Sequence, residues 1–297
     1  MAHRTPLRYP GGKARLAAYI TSVFKANDIV GGQYVEAYAG GSAVAFDLLL
    51  SGTASHVHLN DLDFAVSSFW QTVLDDTDWL CRKIRRTPVT VEQWLRQKAT
   101  YREGALADPR DLAFSFFFLN RTNRSGILNG GIIGGLDQTG EWKIGARYNK
   151  VELVKRIEAI AEKRDQITIY NEDAKSFIEN ELTRVPVESL AYFDPPYFLK
   201  GNRLYQNHYK EDDHSAIGVS IQTNVNQHWI VSYDKVPDIL DIYRGCIRAT
   251  YNLAYSAGPR AIGTEVMFFS ERLNLPEERL DGMRIYTARA RGQNIVR

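Results

Sequence analysis

The 297-residue chain has no run of about eighteen consecutive apolar residues, the minimum for a helix that crosses a bilayer. Its first residues also lack the basic, apolar and small-residue pattern of a secretory signal. The expectation is therefore a cytoplasmic protein with no membrane partner. Cysteine is scarce. Cys81 and Cys246 stand far apart with no CxxC spacing, which excludes a disulfide framework and a cysteine zinc site and fits a reducing compartment. GxGxxG is missing too, and no residue points to a hydride site, so a nicotinamide dehydrogenase is disfavoured. Charge of one sign is not in large excess: 37 Lys and Arg against 35 Asp and Glu leave a net +2, only a hint of a polyanionic partner. No internal repeat or low-complexity tract occurs. What remains is an ordinary globular composition, with 44% hydrophobic and 24% charged residues, long enough for one large domain or two smaller ones.

The most informative stretch is Asp194-Pro195-Pro196-Tyr197, directly after the apolar run Leu190-Ala191-Tyr192-Phe193. A buried strand ends at a carboxylate, and two prolines then prevent the chain from extending the sheet or coiling into a helix. The Asp194 carboxylate and the Pro195 carbonyl are left as acceptors beyond the strand end, with the Tyr197 ring beside them. Two acceptors and a flat ring suit a planar base that carries an exocyclic amino group. Alone, the tetrapeptide is also compatible with a strand-terminating turn.

Upstream, Tyr34-Val35-Glu36-Ala37-Tyr38-Ala39-Gly40-Gly41-Ser42 reads as a strand entering a glycine loop, with a helix through Leu50. Glycines there let backbone approach a ligand, with a helix N-terminus behind. A second strand, His56 to Asp61, ends in an acid about twenty residues past the glycines, the offset at which nucleotide-binding α/β folds hold ribose hydroxyls. At the N-terminus, Arg8-Tyr9-Pro10-Gly11-Gly12-Lys13 sets a cation just past a Gly-Gly turn. Either side of the argument stays open for that lysine: an anion partner, or an exposed position on a first helix.

Taken in this order, the four elements resemble the Dam-type (class D12) DNA adenine-N6 methyltransferases. That family carries an aromatic-x-Gly-Gly-Lys opening, a Glu-Pro-Phe-x-Gly-x-Gly loop, an Asn-Asp strand end and Asp-Pro-Pro-Tyr. The match runs from about Arg8 to about Ser270. It departs at Tyr9 where Trp is common, at Ala37-Tyr38 for Pro-Phe, and at Ser42 for the last glycine. The resemblance implies a Rossmann-like α/β fold with a seven-stranded mixed sheet, S-adenosylmethionine as methyl donor and double-stranded DNA as partner, the protein acting as a monomer in solution. It places Tyr9, Lys13, Glu36, Tyr38, Gly40, Gly41, Asp61, Asp173 and Asp194 at the cofactor, with Asp61 on the ribose and Asp173 by the cofactor's adenine. Asp194, Pro195, Pro196 and Tyr197 are the expected catalytic residues, and no metal is called for.

The pattern along the chain agrees. Strands are expected over 166–171, 190–193 and 228–234, and a terminal hairpin over 247–256 and 264–270. Residues 65–150 read instead as helices over 64–74, 77–86, 91–101 and 109–119, followed by the glycine- and isoleucine-rich run 123–135. Cations outnumber acids in this block, as expected of phosphate contact. The expected division is therefore a catalytic domain, 1–64 with 151–297, and an inserted, mainly helical recognition domain, 65–150, in which Arg121 and Arg124 are the candidate DNA-binding residues. The run 123–135 is expected to project as an irregular hairpin that orders its isoleucines on DNA, and 271–297 to be partly mobile. Rival readings are cytosine-N4 methylation, which usually carries Ser for the first Asp, RNA methylation, and an inert DNA-binding regulator.

Overall fold

Alternation along short, buried strands divides their side chains between two hydrophobic cores, one on each face of a central sheet. The computed structural model describes residues 4–8, 13–198, 209–254, 262–287 and 295–296. Five strands are parallel: β1 (Gln33–Glu36), β2 (His56–Asn60), β3 (Ile167–Tyr170), β4 (Leu190–Phe193) and β5 (His228–Asp234). Antiparallel β6 (Ile247–Ala254) and β7 (Ile262–Phe269) follow, then β8 (Arg284–Thr287) and β9 (Ile295–Val296). Their order is β3-β2-β1-β4-β5-β7-β6-β8-β9.

Seven of these strands lie where the sequence pattern sets them, and the mixed α/β sheet is the expected one. The count of nine corrects the expectation for the C-terminal stretch: Arg248 pairs with Tyr286 and Thr250 with Arg284, so β8 is part of the sheet. Four residues are too few to display a period of their own. This strand takes its register from β6, and the Arg248 guanidinium lies over the Tyr286 ring at 5.5 Å.

One face of the sheet presents Tyr34, Leu190, Tyr192, Ile230, Met267 and Phe269, packed under helices α1 (Lys13–Ala26), α2 (Ala43–Leu50), α3 (Phe64–Asp75), α4 (Thr77–Arg86), α5 (Val91–Glu103), α6 (Pro109–Thr122) and α7 (Lys150–Ala161). The other presents Val35, Ala191, Phe193, Val231, Val266 and Phe268 to α8 (Ala174–Asn180), α9 (Glu211–Asn224) and α10 (Pro237–Ile242). Caps fix the helix starts: Asp63 accepts from Ala65 N, Thr90 from Gln93 N, and Asp108 precedes Pro109 and accepts from Arg110 N.

The helices of 65–150 close no separate core. Trp70 meets Phe46 at 4.8 Å, and Phe69 stacks on Phe117 at 5.7 Å and 4°, within the cluster that includes Tyr34 and Leu59. The glycine-rich run does return on itself: Asn123 bridges Ile132, Arg124 N donates to Gly131 O at 2.9 Å, and Ile133 N donates to Thr122 O. Ile132, however, is only 3% exposed. It is a core residue, because the return leg of the turn folds against α6, and this corrects the expectation for that one isoleucine, while Ile127 and Ile133 are partly buried.

Chain order reverses between β1 and β4, since β2 and β3 lie to one side of β1 and β4 and β5 to the other. Ligand crevices of open α/β sheets form at that point, outside the carboxyl ends of the strands.

Candidate active site

Every one of the five parallel strands delivers an acid at or shortly after its carboxyl end: Glu36, Asp61, Asp173, Asp194 and Asp234. The loops carrying them are stitched together. Ala37 N donates to Tyr192 O at 3.2 Å, Ala39 N to Asn60 O at 2.8 Å, and the Asn60 amide joins Ala37 O to Glu172 O at 3.1 Å each. Asn171 Nδ2 donates to Asp61 O at 2.8 Å. The expected cofactor residues from Glu36 to Asp194 therefore meet along one edge. Tyr9 lies outside the described residues, and of Lys13 only its place as the first residue of α1 is described.

The glycine loop is a tight turn into α2. Gly40 has φ 45° and Ser42 φ 46°, ψ 35°, so both take the left-handed conformation. Ser42, standing where the resembling family has glycine, adopts that backbone despite its Cβ, and its Oγ donates to Ala39 O at 3.3 Å. Asp61 holds the turn: Oδ2 accepts from Gly40 N at 2.8 Å and Oδ1 from Asp63 N at 3.0 Å. Trp70 Nε1 donates to Gly40 O at 3.0 Å, and Thr5 Oγ1 to Gly41 O at 2.6 Å. Tyr38 leaves the loop on the other side, its hydroxyl 2.8 Å from that of Tyr209. Burial pushes Tyr209 up to about 12, so both hydroxyls stay protonated at neutral pH. Asp173 is exposed and caps α8 through Lys175 N at 2.9 Å.

The Asp-Pro-Pro-Tyr loop is anchored at three points. Ser232 Oγ, on β5, donates to Asp194 Oδ1 at 3.0 Å and lies 2.6 Å from the Tyr192 hydroxyl. Phe198 N donates to Asp234 Oδ1 at 3.0 Å. Between them, the Tyr197 hydroxyl donates to Oε1 of Glu265, a β7 residue only 3% exposed, whose Oε2 accepts from Tyr251 on β6. Burial, followed by the charge of Asp194, raises Tyr192 well above the ordinary phenol value, and burial, followed by Glu265, does the same for Tyr251. Tyr251 is therefore a donor to a fixed carboxylate, and Tyr192 a donor to Ser232, whose own proton goes to Asp194. Ser232, Glu265 and Tyr251 were not singled out from the sequence. The one available signal was a glutamate at an inward-facing position of β7, between Thr264 and Val266.

Arg121 and Arg124 are not at this edge. Arg121 lies in the last turn of α6, with Nε and Nη2 donating to Arg147 O, the former at 2.8 Å. Arg124 is exposed at the start of the glycine-rich turn. That turn is tied to the N-terminal segment: Arg8 N donates to Asn120 Oδ1 at 2.7 Å, and Asn120 Nδ2 to Arg8 O at 2.8 Å.

A rim of carboxylates over a glycine turn suits a ligand that is cationic and rich in donors: a sulfonium, an ammonium, ribose hydroxyls and an aminopurine. S-adenosylmethionine has these groups, and Glu36, Asp61 and Asp173 are the residues that would hold it. Among the described residues no cluster of His, Cys, Asp and Glu is arranged for a metal. Two solved structures are similar to this chain. The rRNA methyltransferase AviRa of Streptomyces viridochromogenes is 12% identical, over 89% of this chain and 88% of that one, with a TM-score of 0.40. A SAM-dependent methyltransferase of Agrobacterium tumefaciens is 8% identical, over 86% and 61%, with a TM-score of 0.41. A search of curated proteins finds no significant match. The family model that does match, over residues 9–255, spans both the glycine turn and the Asp-Pro-Pro-Tyr loop. The chain belongs to the D12 class N6 adenine-specific DNA methyltransferases, and its cofactor is S-adenosylmethionine.

Proposed function

We propose that the protein is a site-specific methyltransferase acting on the exocyclic N6 of an adenine turned out of a DNA duplex. The observation that supports this most directly is the Asp194–Tyr197 loop, fixed at the switch point of the sheet by Ser232, Asp234 and Glu265. When bound, S-adenosylmethionine supplies an activated methyl group on a sulfonium sulfur. The chain's residues prepare the acceptor. N6 is a poor nucleophile because its lone pair is delocalised into the ring. Hydrogen bonds from N6 to the Asp194 carboxylate and the Pro195 carbonyl allow that nitrogen to pyramidalise and localise the pair. As positive charge builds on it, the Asp194 bond strengthens, which lowers the barrier. Asp194 then faces the cationic nitrogen and favours loss of its extra proton.

A paired adenine is out of reach of such a loop, so the base leaves the stack and lies on the Tyr197 ring, whose angle the Glu265 bond fixes. Residues 1–64 and 151–297 supply the catalysis. Residues 65–150, with their excess of cations and with Arg121 and Arg124, supply recognition of the duplex. Sequencing DNA from cells that express the protein tests the reading. N6-methyladenine in one sequence context is expected, whereas label confined to RNA in parallel transfer assays would overturn the substrate.

A further inference from the structure

Four arginines from three parts of the chain gather around the end of α6, and one of them, Arg156, reaches Thr5 next to the glycine turn. Each of three donates to a backbone carbonyl. Arg8 Nη1 donates to Asn123 O at 3.0 Å, Arg156 Nη1 to Thr5 O at 3.3 Å, and Arg121 to Arg147 O. The Arg147 guanidinium itself lies over the ring of Trp142 at 5.6 Å, and that tryptophan is 59% exposed. Among the described residues the single carboxylate within ion-pair range of any of the four is Glu152, 3.9 Å from Arg156.

The Arg8 backbone is fixed as firmly as its head. The Asn120 side chain grips Arg8 at both N and O, and Gly126, at φ +77°, approaches so closely that a Cβ there would lie 2.7 Å from Arg8 O. Arg121 is pushed down to about 9, by burial first and then by the charges of Arg8 and Arg156, so it stays charged at neutral pH at some cost in repulsion. Like charges assembled without counter-charge are a liability in the free protein, and an incoming anion removes it. Guanidinium forks match the oxygens of a phosphate, and an exposed indole next to one of them suits a sugar or an unstacked base.

We infer that Arg8, Arg121, Arg147 and Arg156, with Trp142, form a preorganised phosphate site that grips the DNA backbone next to the turned-out nucleotide. The location follows from Thr5, which accepts from Arg156 through its carbonyl and donates to Gly41 O through its hydroxyl, one step from the catalytic crevice. This rests on duplex DNA as the substrate. It gives Arg121 the role of a phosphate grip rather than a base reader, and leaves sequence choice to the exposed Arg124 and its turn.

The test is fluorescence anisotropy of duplex oligonucleotides over a salt series, with wild type, Arg147→Gln, Arg156→Gln and the double variant. Arg147 is exposed and touches its neighbours through its carbonyl and Trp142, so its substitution leaves the fold intact, and melting curves verify this. Each single variant is expected to weaken all duplex sequences alike, by roughly three- to tenfold, and to make the log–log salt slope shallower by about one. Inorganic phosphate at millimolar concentration should compete far less than an equal concentration of DNA phosphate. S-adenosylhomocysteine affinity by calorimetry should not move. A double variant with wild-type affinity and slope, while wild type binds duplex, overturns the site and leaves the proposed function standing. A wild type that binds no duplex overturns the substrate, and this site with it.

Discussion

At the scale of single residues, the proposed chemistry depends on one carboxylate that touches the reacting nitrogen and on others that hold it there. Asp194→Ala should lower methyl transfer by about a hundredfold or more at saturating cofactor, the scale of losing one charged partner of a developing charge. Radiolabelled transfer is the measurement, and a variant at wild-type rate would remove Asp194 from the active site. Asp61→Ala acts elsewhere. It takes away both the Gly40 anchor and the proposed ribose acceptor, so the dissociation constant of S-adenosylhomocysteine should rise by roughly tenfold or more. Unchanged affinity in calorimetry would make Asp61 a turn residue only. Glu265→Gln keeps the shape beneath Tyr197 but removes the charge that accepts from two phenols. The turnover number is expected to fall by about tenfold, with little change in cofactor affinity, since a charge-assisted bond is worth about 1.5–3 kcal/mol. An equal loss in cofactor binding would instead mark a general loosening of the sheet.

The elements differ in how far the sequence foretells them. The starts of α3 to α6 fall at the residues that the 3.6-residue spacing marks, and the caps Asp63, Thr90 and Asp108 show why: local bonds decide where α3, α5 and α6 begin, whereas α6 runs three residues past its expected end. Strand β8 could not be read, since its partners on β6 are some 36 residues away and its four residues carry no pattern. Legibility in the site divides the same way. Asp194 stands out because two prolines follow it, while Ser232 reaches Asp194 across 38 residues and Glu265 reaches Tyr197 across 68, through a register that only the folded sheet sets. One cross-strand contact has a measurable pH signature. His58 on β2 is 8% exposed, with Nε2 donating to Gln33 Oε1 at 2.8 Å and Nδ1 accepting from the Tyr170 hydroxyl at 3.0 Å. Burial, then the neighbouring His56, pushes its pKa down to about 4, from 6.5 in the unfolded chain. Between those values the unfolded state binds the extra proton and the folded state does not, so this contribution is complete above pH 6.5 and is lost as pH falls toward 4. Urea unfolding at pH 7.5 and 5 should show a smaller pH-dependent loss for His58→Gln than for wild type. An identical loss in both would mean that carboxylates alone govern the acid side.

The molecule as a whole is built around its sheet rather than around its motifs. All the motifs that identify the family lie within residues 9–255, and a chain cut after Asn252 would still carry each of them. It would lack β7, which pairs with β5 from Ile230–Phe269 to Asp234–Glu265 and lies between β5 and β6. Such a trimmed chain should bind S-adenosylhomocysteine weakly, if it stays in solution, and should transfer no methyl groups; activity at even a tenth of the full-length value would refute this. The reason lies in the Tyr197–Glu265 bond. A strand made late in the chain, β7, braces the Asp194–Tyr197 loop, so on the ribosome that loop stays unbraced until most of the chain has emerged. A nascent or proteolytically clipped copy that ends before β7 lacks this brace altogether.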